Sequence, residues 1–426
     1  MNCHIEIYLN HNWHTAAIFE PDLQTLEKGV MGGCRLNYDI DFAVENLGNK
    51  NAELIPGLTV GFELYRFKEW PAFLVDLLPA GAGRRAWLKR MQIKTDGPHV
   101  EWHLLYKGAG NPPGNLRIAE AVPEPPPDQF IIGFPRQDII DQQEDFLEYA
   151  EERGAYVAGA SSVQGEAPKY MLVEDIKGMF HADGAIPDDK IKKYWLVKYP
   201  RGKRTDDRNQ LVLKNEAHYL EVARTFGINV GEKLTYENGA LFVPRFDRRI
   251  INGKIDRPGM HSLYAVAEIP GYGAAVNHDI FCEKLARVVT NPGNEIREYI
   301  LRDILNLALR NTDNHGRNTA IMRAGDQIKL TPLFDFAPMF LDPEGIGRVT
   351  RWEDERPGEQ PDWNTICDKL HYALDPEQTK RWLQGYAKDV ERLPVTMKEC
   401  NVDDEVTEKL TKRIEAVANS LNEIRP

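Results

Sequence analysis

Between Tyr299 and Leu309 apolar side chains fall on nearly every side of a 3.6-residue period, which predicts a buried helix ending where the polar run Arg310–Asn318 begins. Two short strands follow, Thr319–Met322 and Ile328–Thr331, separated by a loop over Arg323–Gln327. Past the second strand comes Leu333-Phe334-Asp335-Phe336-Ala337. Antiparallel pairing of the strands predicts that Asn318 lies beside Asp335, with Asp313 on the loop that feeds them.

Elsewhere the pattern is read the same way. Ile5–Leu9, His14–Phe19 and Val60–Leu64 alternate as strands, and Phe73–Leu78 is a helical piece closed by Pro79-Ala80-Gly81-Ala82-Gly83. Ala121–Pro127 is stiff and extended, the best domain boundary, and Asp138–Glu152 is polar with helical character. A small-residue run, Gly154–Gly165, leads into Lys169-Tyr170-Met171-Leu172-Val173, and Tyr194–Tyr199 carries Lys198 inside an apolar strand. Asn215-Glu216 opens a helix whose stripe Tyr219, Val222, Ala223, Phe226 stops at Gly227, so Glu216 is expected in its first turn. Ala240–Pro244 is a strand running into the charged turn Arg245–Arg249, and residues 279–290, 295–310, 376–390 and 404–422 read as helices. The expected domains are 1–125, 126–252 and 253–426.

The chemistry gathers in two polar knots, Asp313 with Asn318 five positions on, and Asp335 after the hairpin. An aspartate that receives or orients the proton of an attacking hydroxyl, together with an amide oxygen and a second carboxylate for Mg²⁺ on nucleotide phosphates, is the donor set of phosphoryl transfer. The spacing parallels the catalytic loop and Asp-Phe-Gly of protein kinases. Plain turn chemistry is the alternative for the same residues. Lys198 within an apolar run calls for an anion nearby, or else snorkels to solvent at the strand end; a strand lysine followed by helix residue Glu216 is also how kinases clamp and orient phosphates.

Composition narrows the class. The chain has 426 residues, 42% of them hydrophobic and 28% charged, values of an ordinary globular protein. The net charge of −12 argues against a surface devoted to nucleic acid. It leaves room for local basic patches at Lys198–Arg208 and Arg245–Arg249, with solvated faces as the commoner reading of such runs. There is no run of 18 apolar residues and no leader pattern, so a cytoplasmic protein without membrane contact is expected. Five scattered cysteines, with no CxxC pair, indicate neither a zinc site nor a disulfide framework.

Taken together, Ser161-Ser162-Val163-Gln164-Gly165-Glu166-Ala167-Pro168-Lys169, Leu196-Val197-Lys198, Asn215-Glu216, Val243-Pro244-Arg245-Phe246-Asp247-Arg248, Asn311–Asn318 and Phe334-Asp335 resemble the HipA family of bacterial toxin kinases. The resemblance is firm over about 154–352. It implies an α+β, two-lobed protein-kinase-like fold with a mixed α/β N-terminal region and a mostly helical C-terminal lobe. It further implies a serine/threonine kinase using ATP and Mg²⁺, with Asp313 as catalytic base, Asn318 and Asp335 on the metal, and Lys198 on the nucleotide phosphates with Glu216 as its partner. The backbone at Val243, Arg245 and Phe246 would meet adenine.

His315 matches a family histidine beside the nucleotide, with loop capping as the alternative. Ser161 and Ser162 stand where the family carries an autophosphorylated loop serine, with ordinary loop serines as the alternative. Ala167 departs from the glutamine of the best-known toxins, which leaves the contact of Lys169 with ATP open. Arg348 and Arg351 are candidate substrate contacts, a structural ion pair being the alternative. The implied partners are a HipB-like helix-turn-helix antitoxin, bringing indirect operator DNA contact, and a protein substrate such as an aminoacyl-tRNA synthetase. A small-molecule kinase of the aminoglycoside or choline type and a catalytically silent antitoxin-binding corepressor remain the rival readings.

Overall fold

The computed structural model describes residues 1–123, 132–152, 168–201, 207–271 and 273–425. Ser161, Ser162 and the small-residue run before Lys169 lie outside the described residues. The chain forms two compact units that do not follow chain order. The first comprises Met1–Arg201, Leu234–Tyr272 and Met322–Gln327, the second Gly202–Lys233, Gly273–Ile321 and Ile328–Pro426.

The first unit opens on an antiparallel sheet of β1 (Cys3–Leu9), β2 (Asn12–Pro21), β3 (Cys34–Tyr38), β4 (Tyr65–Phe67) and β5 (Leu116–Ile118), in the order β4-β3-β2-β1-β5. Alternating burial of Cys3, Ile5 and Ile7 puts one face of β1 in the core, where Phe19, Trp70 and Trp102 also pack. Around it lie α1 (Ile40–Asn46), α2 (Ala72–Leu77), α3 (Gly81–Arg90) and α4 (Glu101–Gly108). Two expectations are corrected here. Val60–Leu64 is irregular, and the strand is Tyr65–Phe67; the glycines at 81 and 83 begin a helix rather than closing one.

A second antiparallel sheet in the same unit contains β6 (Lys169–Asp175), β7 (Phe180–Ala182), β8 (Ile191–Lys198), β9 (Thr235–Glu237) and β10 (Ala240–Pro244), ordered β7-β6-β8-β10-β9. Its apolar cluster includes Ile139 and Ile140 of the preceding helix α5 (Arg136–Asp141) and Phe146 and Tyr149 of α6 (Glu144–Glu152). These replace the single helical segment expected over Asp138–Glu152, because Gln142 takes φ 52° and breaks it. After β10 come β11 (Arg249–Ile251), β12 (Lys254–Asp256), β13 (Gly259–Ser262) and the short α8 (Leu263–Val266).

The arginines at the end of β10 are not a solvated face. Arg245 and Arg248 are 8% and 3% exposed. Arg245 pairs with Asp183 and Asp247, while Arg248 donates to Asp247 and to the carbonyls of Pro112 and Gly114. A buried charge survives only when paired in this way.

His261 in β13 is 4% exposed, and burial, with Arg323 adding repulsion, pushes its pKa down to about 3. The unfolded chain binds this proton near the ordinary pKa of about 6.5. The folded chain does not, so stability is lost as pH falls from about 6.5 toward 3, by up to roughly 1.4 kcal/mol per pH unit from this residue. Urea midpoints measured across that window should show a flatter slope in H261M.

The second unit is mostly helical: α7 (Asp207–Thr225), α9 (His278–Val288), α10 (Pro292–Ala308), α11 (Trp363–Lys369), α12 (Pro376–Glu391), α13 (Leu393–Glu399) and α14 (Asp404–Asn422). The four helices expected from periodicity here appear within three residues of their predicted ends. Helix α7, however, starts at Asp207, so Glu216 sits in its middle and is buried, not in an N-terminal turn. Gly227 then turns the chain at φ 77°.

The hairpin of β14 (Ala320–Ala324) and β15 (Gln327–Leu330) has its turn at Gly325 and Asp326, a tighter loop than expected. No helix among the described residues is long and apolar enough to cross a membrane. The five cysteines are free thiols, four of them buried.

Candidate active site

In the second unit, helix α10 delivers the chain to the polar knot. Its apolar positions Ile296, Ile300, Ile304 and Leu307 are buried, and the helix is tied off when the Tyr219 hydroxyl donates to the Leu309 carbonyl (3.2 Å). Arg310, at φ 51°, redirects the backbone, and the Asn311 side-chain amide reaches back to Asn306 Oδ1 (2.9 Å).

The loop then closes on itself. Asn318 Nδ2 donates to the Asp313 carbonyl (2.8 Å), and Asn318 N–H to the His315 carbonyl (2.9 Å). With the amide nitrogen held inside the loop, Oδ1 is the face of Asn318 left to meet a cation. Asp313 is half-buried, and His315 Nε2 lies 3.2 Å from its Oδ1, a close electrostatic contact rather than a well-aligned hydrogen bond. Arg317 N–H donates to His315 Nδ1 (3.2 Å), which assigns the ring proton to Nε2, the nitrogen facing Asp313. His315 therefore does cap the loop, and through its other nitrogen it also fixes Asp313.

The mouth of the hairpin is held from two sides. Thr331 N–H donates to the Ala320 carbonyl (2.9 Å), and Arg302 of α10 donates to the Thr331 carbonyl (2.6 Å). Asn318 is two residues before this closure and Asp335 four after it. Asp335 is half-buried at φ 51°, a left-handed backbone that a non-glycine residue adopts only under tertiary constraint. The ring of Phe336, next in sequence, is buried against Tyr219 at 5.5 Å. That anchor holds the turn while Asp335 stays partly open.

Among the described residues no cluster of three or more His, Cys, Asp or Glu side chains is arranged as a metal site. The donors here, one amide oxygen and one carboxylate, are hard oxygens and too few to cage an ion alone. They fit Mg²⁺, which keeps waters and shares phosphate oxygens.

Behind the loop, Asn314 links it to the segment 348–352: Nδ2 donates to the Thr350 carbonyl (2.9 Å), while Oδ1 receives Val349 N–H (3.2 Å). Arg348 is drawn into a buried ion-pair network. Its guanidinium bonds Asp303 (2.8 Å) and Glu355, both buried, with His278 Nε2 3.2 Å away. Asp303 also receives Trp352 Nε1–H (2.9 Å). Burial alone would raise its carboxyl, but Arg348 and His278 more than offset this and hold it well below the usual carboxylate range. Arg351, about a third exposed, keeps a looser 3.5 Å pair with Glu355. Asp303 is absent from the expected set, although a lone carboxylate inside the apolar helix 299–309 was a visible signal.

In the first unit, the register of the second sheet places Lys169 directly opposite Lys198, with Leu241 on the other side of Lys198. Opposed side chains on neighbouring strands share a face, so both candidate phosphate lysines stand side by side. Lys198 is 4% exposed. Arg245 N–H is already bonded to the Tyr194 carbonyl (3.1 Å), and its side chain is committed to Asp183 and Asp247. Val243 is paired with Leu196, and Phe246 is half-buried just beyond. Glu216 belongs to the second unit, Lys198 to the first.

The chain matches the model of the HipA-like C-terminal domain over residues 161–393, more than half of its length. The putative kinase Y4mE of Sinorhizobium fredii is 27% identical over 179 residues, 38% of this chain and 41% of that protein, so the match spans less than half of the relative. A chain of the HipA, HipB and operator DNA complex from the Shewanella oneidensis MR-1 toxin–antitoxin system superposes with a TM-score of 0.69 over 99% of both chains at 16% identity, a likeness of fold. The chain belongs to the family of the HipA-like C-terminal domain.

Proposed function

We propose that the chain is a Mg²⁺- and ATP-dependent serine/threonine protein kinase, the toxin of a toxin–antitoxin pair restrained by a HipB-like helix-turn-helix partner that carries the operator DNA contact. The observation that supports this reading best is the closed loop at 313–318. It commits the Asn318 nitrogen to the Asp313 backbone carbonyl, leaving that amide oxygen and the Asp313 carboxylate for chemistry.

In this reading Asp313 receives the proton of an acceptor hydroxyl as that oxygen bonds to the γ-phosphorus and ADP leaves. His315 Nε2–H keeps the Asp313 carboxylate aimed. Asn318 Oδ1 and Asp335 would hold Mg²⁺, which when bound would neutralise phosphate charge. Lys169 and Lys198, opposed on neighbouring strands, present two cations to the same phosphates. Glu216 is the partner assigned to Lys198, and the backbone of 243–246 meets the adenine. The likeness of the fold to a HipA chain solved with HipB and DNA supports the antitoxin partner. A loop serine, Ser161 or Ser162, is the site of self-phosphorylation, and a translation component such as an aminoacyl-tRNA synthetase is the class of acceptor.

Expression of the chain alone and together with a HipB-like helix-turn-helix protein tests this. Growth arrest relieved by the partner and by D313N, with phosphate on Ser161 or Ser162 by mass spectrometry, is the expected result. Arrest that persists in D313N would overturn a catalytic toxin.

A further inference from the structure

The second unit contains a cavity of about 510 Å³ outside the loop 313–318. It is lined by six cations, Arg310, Arg348, Arg351, Lys409, Lys412 and Arg413, against two acids, Glu355 and Glu359. This excess of positive charge stands out in a chain of net charge −12.

Carboxylates neutralise only part of it: Arg348 is held by Asp303 and Glu355, Arg351 keeps a 3.5 Å pair with Glu355, and Lys409 pairs with Glu405 (2.6 Å), which leaves Arg310, Lys412 and Arg413 without an ion pair among the described residues. Glu355 is bound by Arg348, and Glu359 lies at the limit of ion pairing (4.0 Å) with Arg356, outside the cavity. Arg413 spends its Nε–H on the Leu307 carbonyl (3.1 Å), which caps the end of α10 and leaves its terminal nitrogens for the cavity. Burial, with Arg348 and Arg310 adding repulsion, outweighs the attraction of Glu355 and Asp303 and lowers the pKa of Arg413, as expected where like charges gather. Two polar atoms on the wall, Arg348 Nε and Thr312 Oγ1, are buried with no hydrogen-bond partner. Arg348 is nine-tenths buried. Orphaned donors of this kind carry a cost that a ligand removes.

We propose that this cavity is a docking site for a phosphorylated serine or threonine of a protein. A phosphate monoester carries about −1.5 to −2 charge and three acceptor oxygens, which suits converging guanidinium forks better than a single carboxylate does. No aromatic side chain lines the cavity, so there is nothing for a nucleobase to stack on. Thr312 is adjacent to Asp313, so the docked chain lies next to the catalytic loop. The further step, that the docked protein is the acceptor and is recognised by a phosphate it already carries, rests on the kinase reading; the binding itself does not.

Calorimetric titration of the full chain with O-phosphoserine, in the presence of saturating ADP so that the nucleotide site is filled, separates the two. Saturable binding is expected, absent with serine and weakened by roughly tenfold or more in K412E and in R351A, both checked for an unchanged melting temperature. Equal affinity in wild type and both variants, or no saturable binding at millimolar phosphoserine, overturns the proposal. So does tighter binding of a single-stranded oligonucleotide that K412E abolishes, which would make the cavity a nucleic-acid contact. A chain that binds phosphoserine but transfers no phosphate would retain the docking site and lose the kinase reading.

Discussion

Replacing Asp313 with asparagine should lower the single-turnover rate of phosphoryl transfer by about 10²–10⁴-fold, the range for loss of a positioned general base. The change is close to isosteric. The hydrogen bond that closes the loop runs from Asn318 to the backbone carbonyl of 313, not to its side chain, so the fold should survive. The melting temperature should therefore stay close to wild type while the rate collapses. D335N makes the complementary case. Asparagine tolerates the positive φ at this position, so the backbone is kept and only carboxylate charge is removed. Its defect should appear as a raised Mg²⁺ requirement as well as a lower rate. An equal fall in melting temperature and rate in D313N would show instead that Asp313 is a structural residue.

R348A should be the most destabilising substitution in the second unit. It removes the guanidinium that pairs with Asp303 and Glu355, whose side chains are each 2% exposed, and leaves two buried carboxylates without their main partner. Breaking a buried pair from one side costs about 3–5 kcal/mol. Denaturant midpoints would measure this, and R348M/D303L should recover part of it because neither buried charge remains. The pH dependence has a definite sign. The Asp303 carboxyl is held down in the folded state, so its contribution is fully present above about pH 4 and is lost as pH falls further. In R348A the same carboxyl loses its main stabilising cation, its folded-state pKa rises toward the unfolded value, and that acid-side loss should become smaller.

What the amino-acid order reveals of this molecule follows from how local each signal is. Helix α10, the hairpin after it and the terminal helices announce themselves through period 3.6 or 2 within a dozen residues. The polar knot is equally legible, since Asp313 and Asn318 meet within one loop. Long-range pairing is not. Arg245 and Arg248 look like a solvated charged turn until the fold brings Asp183, 62 residues before Arg245, and the carbonyls of Pro112 and Gly114 to them.

The same limit explains Arg348, whose partner Asp303 is 45 residues away. It also explains the facing of Lys169 and Lys198, which depends on strand register rather than on spacing. The start of α7 at Asp207 is not legible, because the apolar residues of its first two turns, Leu211, Val212 and Leu213, are consecutive and form no stripe at helical spacing. Asp303 is a local signal of a distant partner. A carboxylate in an otherwise apolar helix has to be paired, and its partner turned out to be a residue expected to face substrate.

The most direct test incubates the purified chain and a candidate acceptor protein with γ-labelled ATP. The account predicts label on protein serine or threonine in wild type, dependent on added Mg²⁺, abolished by EDTA, and reduced by orders of magnitude in D313N and D335N. Label that never reaches any protein, or that reaches it undiminished in both variants, would contradict it.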